Sequence, residues 1–124
     1  NVGLFCSTPS VPVSRNLGRK QGMELLLTGH FIDAHTALQW GLVNRAVPAS
    51  RLDQEVADLA GSIMSKSWVA VATGKRMFYK QLELPLESAY DYASGVMAGN
   101  MMADDVEEGV DAFMQKRTPV WKNR

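Results

Sequence analysis

Few residues in this chain can do acid–base, nucleophilic or metal chemistry. A nucleophile with its base would have to come from the lone cysteine, Cys6, or its neighbour Ser7, working with one of the two histidines, His30 and His35. Such catalysis needs the imidazole within hydrogen-bond reach of the nucleophile and a third group to orient it. Nothing in the spacing fixes that distance, so Cys6 reads more plainly as a small, inert, apolar-type side chain. His30, Asp33 and His35 bring imidazoles and a carboxylate close together in sequence. Their spacing fits no helix-face ligand pair of the His-Glu-x-x-His kind, and Asp33 is already explained as a helix N-cap, so no metal site is read here.

Three further groups have both a chemical and a structural reading. Asp104, Asp105, Glu107 and Glu108 resemble an acid–base cluster, but they open a helix, where carboxylates are stabilised by the positive pole and by free amides. Met97, Met101 and Met102 suit a ligand groove, although core or subunit packing is the commoner use of adaptable thioethers. Lys116, Arg117, Lys122 and Arg124 form a basic terminus able to hold a phosphate, although on composition alone a solvated tail is the favoured reading. From the residues alone, no catalytic centre is assigned.

Composition narrows the class. The 124 residues are 46% hydrophobic and carry 13 basic against 13 acidic side chains, as expected for an ordinary globular unit without the charge excess of a nucleic-acid or anionic-membrane binder. Apolar runs such as Leu25-Leu26-Leu27 are far too short to span a bilayer. One cysteine cannot form an internal disulfide, so a reducing interior is expected, cytoplasmic or mitochondrial matrix. The opening Asn1-Val2-Gly3-Leu4-Phe5-Cys6 is apolar with nothing before it to pack on, as expected of a cut chain, although processing also produces such an opening.

The elements that position these residues are helical. Through Pro12, the mixture of Gly3, Ser7, Thr8, Pro9, Ser10 and Pro12 predicts a strand end or loop and then a turn, with little regular structure. Leu17, Met23, Leu26 and Leu27 allow helix from about Val13 to Leu27, interrupted at Gly18 and stopped by Thr28-Gly29. Asp33 caps a short helix with Ala34, Ala37 and Leu38 inward and Gly41 at its left-handed end; Leu42 to Val47 form an extended link to Pro48. Then Leu52, Val56, Leu59, Ile63 and Met64 repeat at helical spacing behind a capping-box-like Ser50 and Asp53. Further helices are predicted over about Trp68–Leu82, from Pro85 through Met97 to Met101, and over Asp105–Lys116, the last with acids first and bases last. The fold class is mainly α, with a bundle-like second part.

Two stretches then carry a family resemblance. Leu27-Thr28-Gly29, Ile32-Asp33-Ala34 and Ala37-Leu38-Gln39-Trp40-Gly41-Leu42-Val43-Asn44-Arg45-Ala46-Val47-Pro48 are similar to the Leu-Thr-Gly, Ile-x-Ala and Ala-x-x-x-Gly-Leu-Val-x-x-Val-x-Pro signature of the crotonase (enoyl-CoA hydratase/isomerase) superfamily. Glu108-Gly109-Val110-Asp111-Ala112-Phe113-Met114-Gln115-Lys116-Arg117-Thr118-Pro119 resembles its closing Glu-Gly-x-x-Ala-Phe-x-x-Lys-Arg-x-Pro. The resemblance covers essentially the whole chain and implies the C-terminal helical part of an α/β fold built on a ββα spiral. Residues 1–48 would be the tail end of the spiral core and residues 49–124 the helical trimerisation region. At Gly3-Leu4-Phe5-Cys6-Ser7-Thr8-Pro9 the chain lacks the glycine-rich turn of standard hydratases.

The resemblance implies a parent acting on acyl-CoA thioesters, nominally a lyase adding water to 2-enoyl-CoA in fatty-acid metabolism, assembled as a homotrimer or dimer of trimers. It uses no cofactor beyond the coenzyme A of the substrate. The family's oxyanion amides and hydratase glutamates would all fall upstream of Asn1. Left here would be Cys6 and Ser7 lining the acyl pocket, Lys116 reaching a neighbouring subunit's CoA phosphates, and Met97 covering the nucleotide end. The rival expectations are a helical assembly module of a non-catalytic homologue, and an isomerase or thioesterase of the same superfamily.

Overall fold

The computed structural model describes residues 3–124, and among them there is no strand. Of the apolar opening, Asn1 and Val2 lie outside the described residues. The chain divides into two compact units, one running to Leu52 and the other Asp53–Arg124. No helix among the described residues is long and apolar enough to cross a membrane.

The first unit corrects the opening of the sequence reading. A helix, α1 (Ser7–Asn16), begins six residues before the expected start near Val13, inside the stretch through Pro12 where little regular structure was expected. Two prolines argue against helix, yet each is accommodated. Pro9 sits in the first turn, where the amide it lacks would have had no intrahelical acceptor. Pro12 removes one interior bond, while side chains tie neighbouring turns: Ser10 Oγ donates to the Ser7 carbonyl at 2.6 Å and Asn16 Nδ2 to that of Pro12 at 2.8 Å. The chain extends at Leu17 and Gly18 and re-enters helix as α2 (Arg19–Thr28), as the interruption at Gly18 predicts. Buried Leu17 and Gly22 mark where α1 and α2 meet.

The caps of this unit follow the sequence. Gly29 ends α2 at φ 62°, a left-handed conformation in which an L side chain is strained. Asp33 accepts the Thr36 amide at 2.7 Å and starts α3 (Ala34–Gln39); that bond holds its carboxyl below the ordinary range. Beyond α3, the Gly41 and Leu42 amides return to the carbonyls of Leu38 and Ala37. This is a Schellman ending, with glycine at the left-handed position.

The second unit is entered differently from the capping-box expectation. A 3₁₀ turn, Ala49–Arg51, precedes α4 (Leu52–Met64). The Pro48 carbonyl takes the Arg51 amide at 2.9 Å, so Ser50 lies inside the turn and does not cap it. Next come α5 (Trp68–Gln81), α6 (Leu86–Asn100) and α7 (Asp104–Gln115). Helices α5 and α6 pack antiparallel: Gln81 and Leu86 share one recess with Met77 and Ala93, and Ala70 shares another with Asn100. Small residues, Ala70, Ala89 and Ala93, line these recesses.

The apolar faces, however, do not form an enclosed core. Leu52, Val56, Leu59 and Ile63, spaced to point inward, are exposed, as are Phe78, Leu82, Val110 and Phe113, the last at 82%. Periodicity identified the faces correctly, but what covers a face is a non-local matter. Ala112, 1% exposed, is the most deeply buried apolar residue described.

Candidate functional site

The most ordered polar arrangement lies where residues 117–124 cross back over α7 and the α4–α5 junction. Here Asp105, 4% exposed, acts as the hub. Its carboxylate receives the Ser67 hydroxyl, the Lys122 amide at 2.6 Å and the Asn123 amide at 3.0 and 3.1 Å. Burial pushes this carboxyl up, but the donors outweigh it and leave it below its ordinary range. The same groups cap α5: Ser67 Oγ accepts the Ala70 amide, and Asn123 Oδ1 accepts that of Trp68 at 2.9 Å. Trp121 Nε1 donates to the Ser65 carbonyl at 2.8 Å, and its ring lies over Gly109. We call residues 117–124 the strap.

A second anchor is the Glu108–Arg117 pair. Two guanidinium nitrogens meet the two carboxylate oxygens, and Glu108 also accepts the Val120 amide at 2.7 Å. Arg117, with the Val120 bond behind it, lowers the Glu108 carboxyl to about 2. A carboxyl depressed on folding contributes stability above its unfolded value, here near 4.5, that is lost as pH falls toward the folded value. The thermal midpoint is therefore expected to drop between about pH 4.5 and 2, and Glu108→Gln to flatten that slope. A slope unchanged in the variant excludes Glu108 as its source.

The strap resolves part of the basic-terminus reading. Arg117 is bound to Glu108, and Arg124 pairs with Asp104 at 3.0 Å. Lys116 is exposed and unpaired among the described residues. Its backbone is left-handed, φ 55°, and its amide and that of Arg117 return to Phe113 and Ala112 in a second Schellman ending. Lysine occupies the position that glycine fills after α3.

The other residues named from sequence fall as follows. Cys6 is exposed just before α1 and lines a recess of about 580 Å³ with Phe5, Leu25, Leu26 and Leu27. Ser7 begins α1 outside that lining, its hydroxyl donating to the Phe5 carbonyl. Met97 is 62% exposed on α6 and edges the recess between α5 and α6. Cys6 and Ser7 lie in the first unit and Met97 and Lys116 in the second. His35 Nε2 accepts from the Gln39 side-chain Nε2 at 3.0 Å, and no group of three metal-ligating side chains occurs among the described residues. Sequence reasoning missed the hub: Asp105 was expected to serve its own helix start, whereas it caps the amides of the strap.

This helical architecture, with its paired signatures and exposed faces, agrees with comparison to known proteins. The chain belongs to the enoyl-CoA hydratase/isomerase family, whose sequence profile matches residues 1–124. Among its relatives is the mitochondrial enoyl-CoA hydratase domain-containing protein 3 of Rattus norvegicus, 47% identical over 99% of this chain and 41% of the relative. Carnitinyl-CoA dehydratase of Salmonella typhi is 37% identical over 82% of the chain and 40% of its own length. The solved enoyl-CoA hydratase of Mycobacterium smegmatis superposes with a TM-score of 0.94 at 51% identity, covering 98% of this chain and 47% of that one. Human enoyl-CoA hydratase domain-containing protein 3 does so at 0.93 and 46% identity, over 98% and 48%. The chain thus spans about two fifths of the length of the curated relatives and is the helical C-terminal part of the crotonase fold.

Proposed function

We propose that this chain is the assembly and CoA-rim half of an acyl-CoA enzyme, nominally a hydratase adding water to 2-enoyl-CoA in fatty-acid metabolism. The observation that carries the reading is the row of exposed apolar residues along α4 to α7, including Leu52, Ile63, Phe78, Leu86 and Phe113. Surfaces of this extent are normally covered by other protein. In the assembled enzyme, a homotrimer or dimer of trimers, they would meet the spiral core and neighbouring subunits. Lys116 would offer its charge to a neighbour's CoA phosphates as a point donor. Met97 would cover the nucleotide, and the Cys6 recess with Ser7 at its edge would receive part of the acyl chain. The mitochondrial relatives favour a mitochondrial compartment over a cytoplasmic one.

The chain alone is expected to sediment as multiples of 13.6 kDa. Joined to an upstream spiral half, it is expected to bind CoA esters and hydrate crotonyl-CoA. A monodisperse monomer, or a joined protein that binds no CoA ester, defeats the reading. One observation favours a second reading, an assembly module without catalysis: the Ser7 hydroxyl donates to a backbone carbonyl and has no side-chain base as partner. CoA-ester binding without turnover of any 2-enoyl, 3-enoyl or simple acyl thioester selects that alternative over hydratase, isomerase and thioesterase.

A further inference from the structure

Lys116 and Arg117 are adjacent cations with different surroundings. Every nitrogen of the Arg117 guanidinium is engaged within the chain: Nε donates to Gln115 Oε1 at 2.8 Å, Nη2 to Glu108 Oε2 at 2.9 Å, and Nη1 to Glu108 Oε1 and to the Thr118 carbonyl. Lys116, one residue earlier, is exposed and has no such partner among the described residues. The Glu108 side chain is only 15% exposed and also takes the Val120 amide, so it grips the chain at two points beyond Lys116. On the helix side, the Lys116 and Arg117 amides are held by the carbonyls of Phe113 and Ala112. Lys116 is thus the corner between two fastened stretches, in a left-handed conformation that an L residue does not keep unaided.

We infer that Glu108 and Arg117 are positioning residues for the phosphate contact: by clamping the backbone after Lys116 they keep it left-handed and fix the direction in which its side chain leaves the helix end. The inference rests on the phosphate role proposed above for Lys116. Lysine carries its charge on a flexible four-carbon stem, so a fixed base limits the space that the charge explores. With the carboxylate gone, the two Schellman bonds alone hold the corner. Residue 116 then spends time in the commoner right-handed and extended regions, and affinity falls by the fraction of time lost. Charge alone argues the other way, because removing an acid beside a phosphate site tightens the binding of an anion. The two accounts differ in sign.

The test is a double-mutant cycle in the complete enzyme. Butyryl-CoA binding is measured by calorimetry at about 0.15 M salt, with S-butyryl pantetheine, which lacks the phosphates, as the control. Lys116→Ala is expected to weaken butyryl-CoA binding about tenfold. Glu108→Ala is expected to weaken it about threefold when Lys116 is present, to change nothing in the Lys116→Ala background, and to leave the pantetheine ester unaffected. Glu108→Gln keeps an acceptor for the Val120 amide and serves if the alanine variant does not fold; it should show the same pattern with a smaller loss. Tighter or unchanged butyryl-CoA binding in the Glu108 variants, or an equal loss with and without Lys116→Ala, overturns the inference and leaves the role of Lys116 standing. If Lys116→Ala itself loses nothing, that role falls and the inference falls with it.

Discussion

Trp121→Ala is expected to destabilise the helical unit by roughly 3 kcal/mol, the low end of the range for truncating a large aromatic side chain. The indole is only half-buried, which argues for that low end. It nevertheless joins three elements: its Nε1 reaches the Ser65 carbonyl after α4, its ring covers Gly109 on α7, and it closes a recess beside Ala70 on α5. Trp121→Phe keeps most of the ring contact and loses the hydrogen bond, so a loss of about 1 kcal/mol is expected. Urea unfolding followed by circular dichroism separates the two variants. If Trp121→Ala unfolds at the midpoint of the natural chain, the strap is not a structural fastening.

Lys116 is expected to show opposite effects on stability and binding. Its φ of 55° places an L side chain in the left-handed region, at a cost of about 1 kcal/mol relative to glycine. The same Schellman geometry after α3 is met by Gly41, so nothing in the backbone pattern asks for lysine. Lys116→Gly should therefore gain about 1 kcal/mol of stability. In a complete enzyme it should weaken CoA-ester binding by about tenfold, the worth of one charged hydrogen bond to phosphate. Lys116→Ala keeps the backbone strain and loses the charge, so it should share the binding loss without the gain in stability. Added salt should shrink the difference in affinity, since an exposed point charge is screened. If Lys116→Gly binds CoA esters as tightly as the natural protein, Lys116 has no phosphate role and its conformation is unexplained.

Local features were the legible part of the sequence. Gly29 and Gly41 mark helix ends through a left-handed backbone, Asp33 marks a start through its capping oxygen, Gly18 is the residue before α2, and each boundary lies where expected. α1 was missed because Pro9 and Pro12 were weighed as breakers without regard to register, although a proline in the first turn costs no hydrogen bond. Ser50 was misplaced because a 3₁₀ turn passes the Arg51 and Leu52 amides to the carbonyls of Pro48 and Ala49, so Ser50 stands inside the turn and not before the helix.

Of the candidate site, the family signatures identified Lys116 and the Glu108–Arg117 stretch as distinctive without revealing their geometry. The pairings of Ser67 with Asp105 and of Trp68 with Asn123 join residues 38 and 55 positions apart. No periodicity or spacing rule reports such pairs.

The bond from the Trp68 amide to Asn123 also orders events during synthesis. At about 5–20 residues per second, the 55 residues from Val69 through Asn123 take on the order of 3 to 11 seconds to appear. Throughout that interval the leading end of α5 lacks one of its caps, and Ser67 lacks its carboxylate partner until Asp105 emerges. The nascent helices α4 to α6 therefore wait, unfastened and with their apolar faces open, for a segment made after them.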